Sequence, residues 1–134
     1  MRDVNWEGGI AIVDDERVIV EFYKKVFETM AVPIAFVAYD GEDAVSKFKC
    51  CNQKPQVILM DFRMPGMDGV EAAKIIIGHD PNVKIIFITA DSAAREDALR
   101  SGAAGFIQKP VSLKEIVSHV EEVMSRTISL PREV

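Results

Sequence analysis

Five polar residues of this chain stand at or just after the end of an apolar run. Asp14 and Asp15 follow Ile10-Ala11-Ile12-Val13, Asp61 follows Val57-Ile58-Leu59-Met60, and Thr89 follows Ile85-Ile86-Phe87-Ile88. Lys109, within Gln108-Lys109-Pro110, follows Gly105-Phe106-Ile107. Singly, each is ordinary, because a chain leaving a strand for solvent often carries Asp, Thr or Lys there or begins a helix cap. Together they offer three carboxylates, a hydroxyl and an ammonium. Three converging carboxylates repel and raise one another's pKa. A divalent cation removes that conflict, and an all-oxygen ligand set suits Mg²⁺ rather than zinc. The chemistry such a set can do is phosphoryl transfer, in which an Asp carboxylate acts as nucleophile and becomes an aspartyl phosphate. That reaction needs positioning and stabilisation of charge on the phosphoryl oxygens. Mg²⁺ on the Asp cluster can bridge the carboxylate and one phosphoryl oxygen, Lys109 can neutralise a second, and Thr89 can donate a hydrogen bond to the third.

These roles require the five residues to be brought to one place. The apolar runs, with Ala35-Phe36-Val37-Ala38 as the second in order, mostly lack polar alternation, which suits strands covered on both faces, as in a parallel sheet. Helical periodicity fills the gaps. Ile19, Phe22, Val26 and Met30 trace one stripe, and Leu113, Ile116, Val117, Val120 and Met124 trace another. Shorter helices are expected near 42–50, 70–77 and 93–101. Ser112-Leu113-Lys114-Glu115 has the pattern of a capping box, Asp40-Gly41 and Asp68-Gly69 mark helix starts, and Gly78 and Gly102 mark helix ends. Alternating strands and helices give an α/β fold of (βα)₅ type, with right-handed crossovers and helices on both faces. In such a sheet all strand C-termini lie on one edge, where ligands bind.

With 134 residues the chain suffices for one domain and can bury a sizeable core without disulfides. Its net charge of −5, with no basic cluster, argues against nucleic acid as a partner of this domain. The adjacent pair Cys50-Cys51 has neither zinc-ligand nor redox-motif spacing and reads as two ordinary side chains near a helix end. The N-terminal segment lacks the apolar stretch of a secretory signal, and the apolar runs are too short to span a bilayer, so a cytoplasmic location and no membrane partner are expected. Residues 1–8 and 127–134 lack periodicity and read as loose ends.

The string Asp61-Phe62-Arg63-Met64-Pro65-Gly66-Met67-Asp68-Gly69, taken with Asp14-Asp15, Thr89-Ala90 and Lys109-Pro110, resembles the response regulator receiver domains of two-component signalling. The resemblance covers residues 9–126, and it implies a flavodoxin-like three-layer sandwich with a five-stranded parallel sheet of order 2-1-3-4-5. By matching positions it implies that Asp61 is the phosphorylation site. It also implies that Asp14 and Asp15 hold Mg²⁺ together with Asp61 and the backbone carbonyl of Arg63. Thr89 is similar to the switch hydroxyl, Phe106 falls at the aromatic switch position but equally reads as a core aromatic of the last strand, and the Lys109-Pro110 bond is expected to be cis. The implied donor is a sensor histidine kinase or histidine phosphotransfer protein, and the implied state is a monomer or weak homodimer serving an unnamed downstream target. Such a domain catalyses its own phosphorylation and dephosphorylation without being a turnover enzyme. Arg63 and Asp91, two residues after Asp61 and Thr89, should both border the phosphoryl pocket. They either pair across its mouth and hinder hydrolytic water or stand apart as solvated charges.

Other readings fit less well. A phosphatase of haloacid-dehalogenase type needs a second Asp at the position of Arg63, and a guanidinium does not give up its proton. A nucleotide- or flavin-binding module would need a glycine-rich loop after the first strand, where Asp14-Asp15 would instead repel a phosphate. A purely structural interaction module leaves the five intact polar positions without a purpose.

Overall fold

Each apolar run forms a strand, because a run of β-branched and aliphatic residues without alternation is stable only when covered on both faces. The element order is β1 (Ile10–Val13), α1 (Arg17–Thr29), β2 (Ile34–Ala38), α2 (Gly41–Cys50), β3 (Val57–Asp61), α3 (Gly69–His79) and β4 (Lys84–Thr89). A single 3₁₀ turn, Ser92–Ala94, then leads into α4 (Arg95–Arg100), followed by β5 (Gly105–Gln108) and α5 (Leu113–Ser129). The computed structural model describes the backbone of residues 4–129 and the side chains of residues 4–125. All pairings are parallel and the strand order is β2-β1-β3-β4-β5, the order the resemblance implies.

Strand alternation divides the interior into two cores. Ala11, Val13, Ile58, Met60, Ile85, Phe87 and Phe106 face α2, α3 and α4. Ile10, Ile12, Val57, Leu59, Ile86, Ile88 and Ile107 face α1 and α5. Each fully buried aliphatic or aromatic side chain contributes about 1.5–3 kcal/mol. The same two-residue period places Asp14, Asp61 and Lys109 on the α1/α5 side of the sheet edge and Thr89 on the opposite side.

Local signals set most boundaries. Asp40 accepts from the Asp43 N–H at 2.7 Å and Asp68 from the Glu71 N–H at 3.0 Å, so both cap the helices they precede. Ser112 and Glu115 form the reciprocal capping box, with both bonds at 3.2 Å. Gly102, at φ +94°, ends α4.

Four expectations are corrected. The buried stripe of α1 is Val20, Tyr23 and Phe27, one position round from the expected one, and Phe22 is 50% exposed. Both stripes are apolar, and the phase is set by where α1 leaves the Asp14–Glu16 turn. Gly78 lies inside α3, where nothing stands near its missing side chain. Helix α5 continues to Ser129, beyond the expected end of periodicity. The segment before β1 is fastened: the Gln56 Oε1 accepts from the N–H groups of Glu7, Gly8 and Gly9 at 3.0–3.2 Å, while Val4 and Trp6 pack on the α1/α5 core.

Candidate functional site: a carboxylate cluster at the strand ends

The sheet delivers its polar residues by extending the strand ladders one step. The Asp14 N–H donates to the Ala38 carbonyl at 3.1 Å, and the Lys109 N–H donates to the Thr89 carbonyl at 2.7 Å. Asp14, Asp15 and Asp61 each then offer a carboxylate oxygen within 4.8 Å of the others. Asp14 and Asp61 are buried and Asp15 is exposed. The Lys109 ammonium lies 3.5 Å from Asp14 Oδ2, whose other oxygen accepts from the Glu16 N–H at 2.9 Å.

The loop after Asp61 is held by two close backbone approaches. A Cβ on Gly69 would stand 2.6 Å from the Asp61 carbonyl oxygen, and one on Gly41 would stand 2.6 Å from the Met67 carbonyl oxygen. Only glycine lets the starts of α3 and α2 come this near, and the loop carrying Arg63 is fixed between them.

This crowding sets the electrostatics. Burial, then the Asp14 charge, pushes the Asp61 carboxyl up to about 6, against the opposing pull of Lys109. Burial also raises Asp14, offset in part by the Glu16 N–H and by Lys109. Burial draws the Lys109 ammonium down, but Asp14 and Asp61 outweigh it and leave it raised. The cluster thus holds more negative charge than one ammonium compensates, in an oxygen-only setting that suits a hard divalent cation.

A pH dependence follows. The folded Asp61 binds its proton more tightly than a free carboxyl near 3.8, so its contribution to stability is complete below that pH and is lost as pH rises through about 6. In the absence of divalent cations, denaturant unfolding should show up to about 3 kcal/mol of stability lost at this site between pH 4 and pH 8. Asp14 adds in the same direction. A stability that rises across that interval would contradict the assignment.

Thr89 is buried but turned to the other side, and its Oγ1 accepts from the Asp91 N–H at 3.2 Å. No hydrogen bond joins it to Asp61 among the described residues. Arg63 and Asp91 do pair: the guanidinium lies 2.6 Å from Asp91 Oδ2, while Asp91 Oδ1 accepts from the Ala93 N–H at 3.0 Å and caps the 3₁₀ turn. The Arg63 bond, then the Ala93 N–H, holds the Asp91 carboxyl below its ordinary value. The Phe106 ring is buried beside α4, with the Arg95 guanidinium 5.7 Å from its centroid. The Lys109-Pro110 bond is cis. Cys50 and Cys51 are free thiols.

Comparison with known proteins agrees with this geometry. The family model of the response regulator receiver domain matches residues 10–121. Chemotaxis protein CheY of Thermotoga maritima is 34% identical over 116 residues, covering 85% of this chain and 95% of that protein. Transcriptional regulatory protein LnrK of Bacillus subtilis is 34% identical over 128 residues, covering 93% of this chain, which spans only 57% of LnrK's length. Among solved structures, CheY in the CheX-CheY-BeF3-Mg²⁺ complex of Borrelia burgdorferi superposes with a TM-score of 0.83 at 30% identity, over 91% of this chain and 96% of that one.

Proposed function

Because this chain belongs to the response regulator receiver domain family, we propose that it is a phosphorylation-dependent switch that accepts a phosphoryl group on Asp61 from a phosphohistidine. The observation that carries this reading is the convergence of Asp14, Asp15 and Asp61 within 4.8 Å, with Lys109 beside them.

Mg²⁺ held by Asp14, Asp15, Asp61 and the Arg63 carbonyl would supply the positive charge that the carboxylates lack and that the phosphoryl oxygens need. An Asp61 carboxylate oxygen attacks phosphorus, and the phosphorus–nitrogen bond of the donor breaks. The electron pair passes to the imidazole nitrogen, which is protonated as it leaves. Lys109 neutralises a phosphoryl oxygen, and Thr89 turns its hydroxyl toward the new group. The donor is a sensor histidine kinase or a histidine phosphotransfer protein in the cytoplasm. The domain serves as a switch rather than a turnover enzyme, as a monomer or weak homodimer. The receiver domain proper occupies residues 9–126. Movement of Thr89 and Phe106 alters the surface of α4, β5 and α5 that a downstream target reads.

Incubation with a small phosphodonor and Mg²⁺ should add one phosphoryl group per chain, with uptake abolished by chelation. Uptake that survives chelation, or no uptake at all, would count against the reading.

Arg63 and Asp91, paired at 2.6 Å and each two residues beyond a residue of the proposed site, would restrict the approach of hydrolytic water if the pair lies over the phosphoryl group. Arg63→Ala and Asp91→Ala should each shorten the acyl phosphate lifetime roughly two- to fivefold, as befits a largely exposed pair. Autodephosphorylation measured at equal starting phosphorylation would show unchanged lifetimes if the pair were idle.

A further inference from the structure

Charge beside the carboxylate cluster is unevenly used. Arg17 opens α1, is exposed, and stands two residues after Asp15, the exposed member of the cluster. A guanidinium so near three converging carboxylates is drawn toward them. It lies elsewhere, with its Cζ 4.0 Å from the centroid of the Tyr39 ring. That distance is well inside the range in which a cation is held over an aromatic face. Among the described residues neither Arg17 nor Asp15 enters an ion pair.

The ring that holds Arg17 is itself fixed beside the site. Val13 pairs with Ala38 and the Asp14 N–H donates to the Ala38 carbonyl, so Tyr39 follows β2 where Asp14 follows β1. Tyr39 packs with Val37 against the α1/α5 core, and the next residue, Asp40, caps α2. The platform is therefore anchored on both sides. The first turn of α1 has no side-chain cap of its own.

We propose that Tyr39 is a positioning residue for the cation site: its ring holds the Arg17 guanidinium off Asp15, so that this carboxylate stays open to a divalent ion. An exposed cation–π contact and an exposed ion pair are of similar strength, so removing the ring is enough to send Arg17 to the carboxylate. A divalent cation would then have to displace a guanidinium already in place. The cation part of this role rests on the reading of Asp14, Asp15 and Asp61 as a Mg²⁺ site, whereas the choice of Arg17 between Tyr39 and Asp15 does not.

The test begins with Mg²⁺ affinity measured by titration calorimetry. Tyr39→Leu should weaken it roughly two- to fivefold, and Tyr39→Phe, which keeps the aromatic face, should leave it at the parent value. In an Arg17→Met background Tyr39→Leu should have no effect, and at high ionic strength its effect should shrink. An unchanged affinity in Tyr39→Leu, or an equal loss with and without Arg17, would overturn the proposal. The second measurement is cation-free unfolding of Arg17→Met, Asp15→Asn and the double variant. The two substitutions should be additive in the parent and non-additive in Tyr39→Leu, where the freed guanidinium meets Asp15. If the parent chain binds no Mg²⁺, the reading of the cluster as a cation site fails, and the unfolding cycles decide the role of the ring: additivity in both backgrounds overturns it, and coupling confined to Tyr39→Leu supports it.

Discussion

Asp61→Asn is expected to reduce phosphate uptake to the level of chemical background while making the cation-free protein more stable. The two effects share one cause. The carboxylate would be reactive because it is ionised near neutrality, and it is costly to the fold because it is ionised while buried beside Asp14. The amide keeps the shape, has no charge to desolvate and cannot form the acyl phosphate. Above pH 7 the variant should exceed the parent by up to about 3 kcal/mol, and below pH 4, where the parent carboxyl is protonated, the gain should vanish. Denaturant unfolding at the two pH values checks this, and a variant less stable at pH 8 would show that Asp61 plays a structural part the cluster geometry does not give it.

Lys109→Met is expected to slow phosphate uptake by about 10²- to 10³-fold, the usual effect of removing a preorganised positive group from a developing anion. Cation binding should behave oppositely. Lys109 lies 3.5 Å from Asp14 and lowers both Asp14 and Asp61, so without it both carboxyls rise further. A divalent cation then meets no competing ammonium, so Mg²⁺ affinity at pH 8 should hold or rise while the rate falls. Parallel loss of affinity and rate would mean that Lys109 orders the site as a whole.

The apolar runs revealed the sheet because strands covered on both faces need no alternation, and their polar successors marked the edge where the site forms. The phase of α1 was hidden because Ile19, Phe22, Val26 and Met30 are as apolar as the stripe that packs, and only the exit from β1 chooses between them. The loop approaches at Gly41 and Gly69 lie between segments whose nearness no local pattern records. The Arg63–Asp91 pair was legible as a possibility from spacing alone, but its 2.6 Å contact needed the sheet register to bring the ends of β3 and β4 together. The fastening of residues 7–9 by Gln56 crosses nearly fifty positions and left no sequence signal.

Asp61, the proposed phosphoacceptor, can be identified chemically. Borohydride reduces an aspartyl phosphate to homoserine, so treatment of the phosphorylated chain followed by peptide mass spectrometry locates the acceptor directly. Homoserine is expected at position 61, dependent on both phosphodonor and Mg²⁺. Homoserine at position 14 or 15, or phosphate on a residue that borohydride does not reduce, would contradict it.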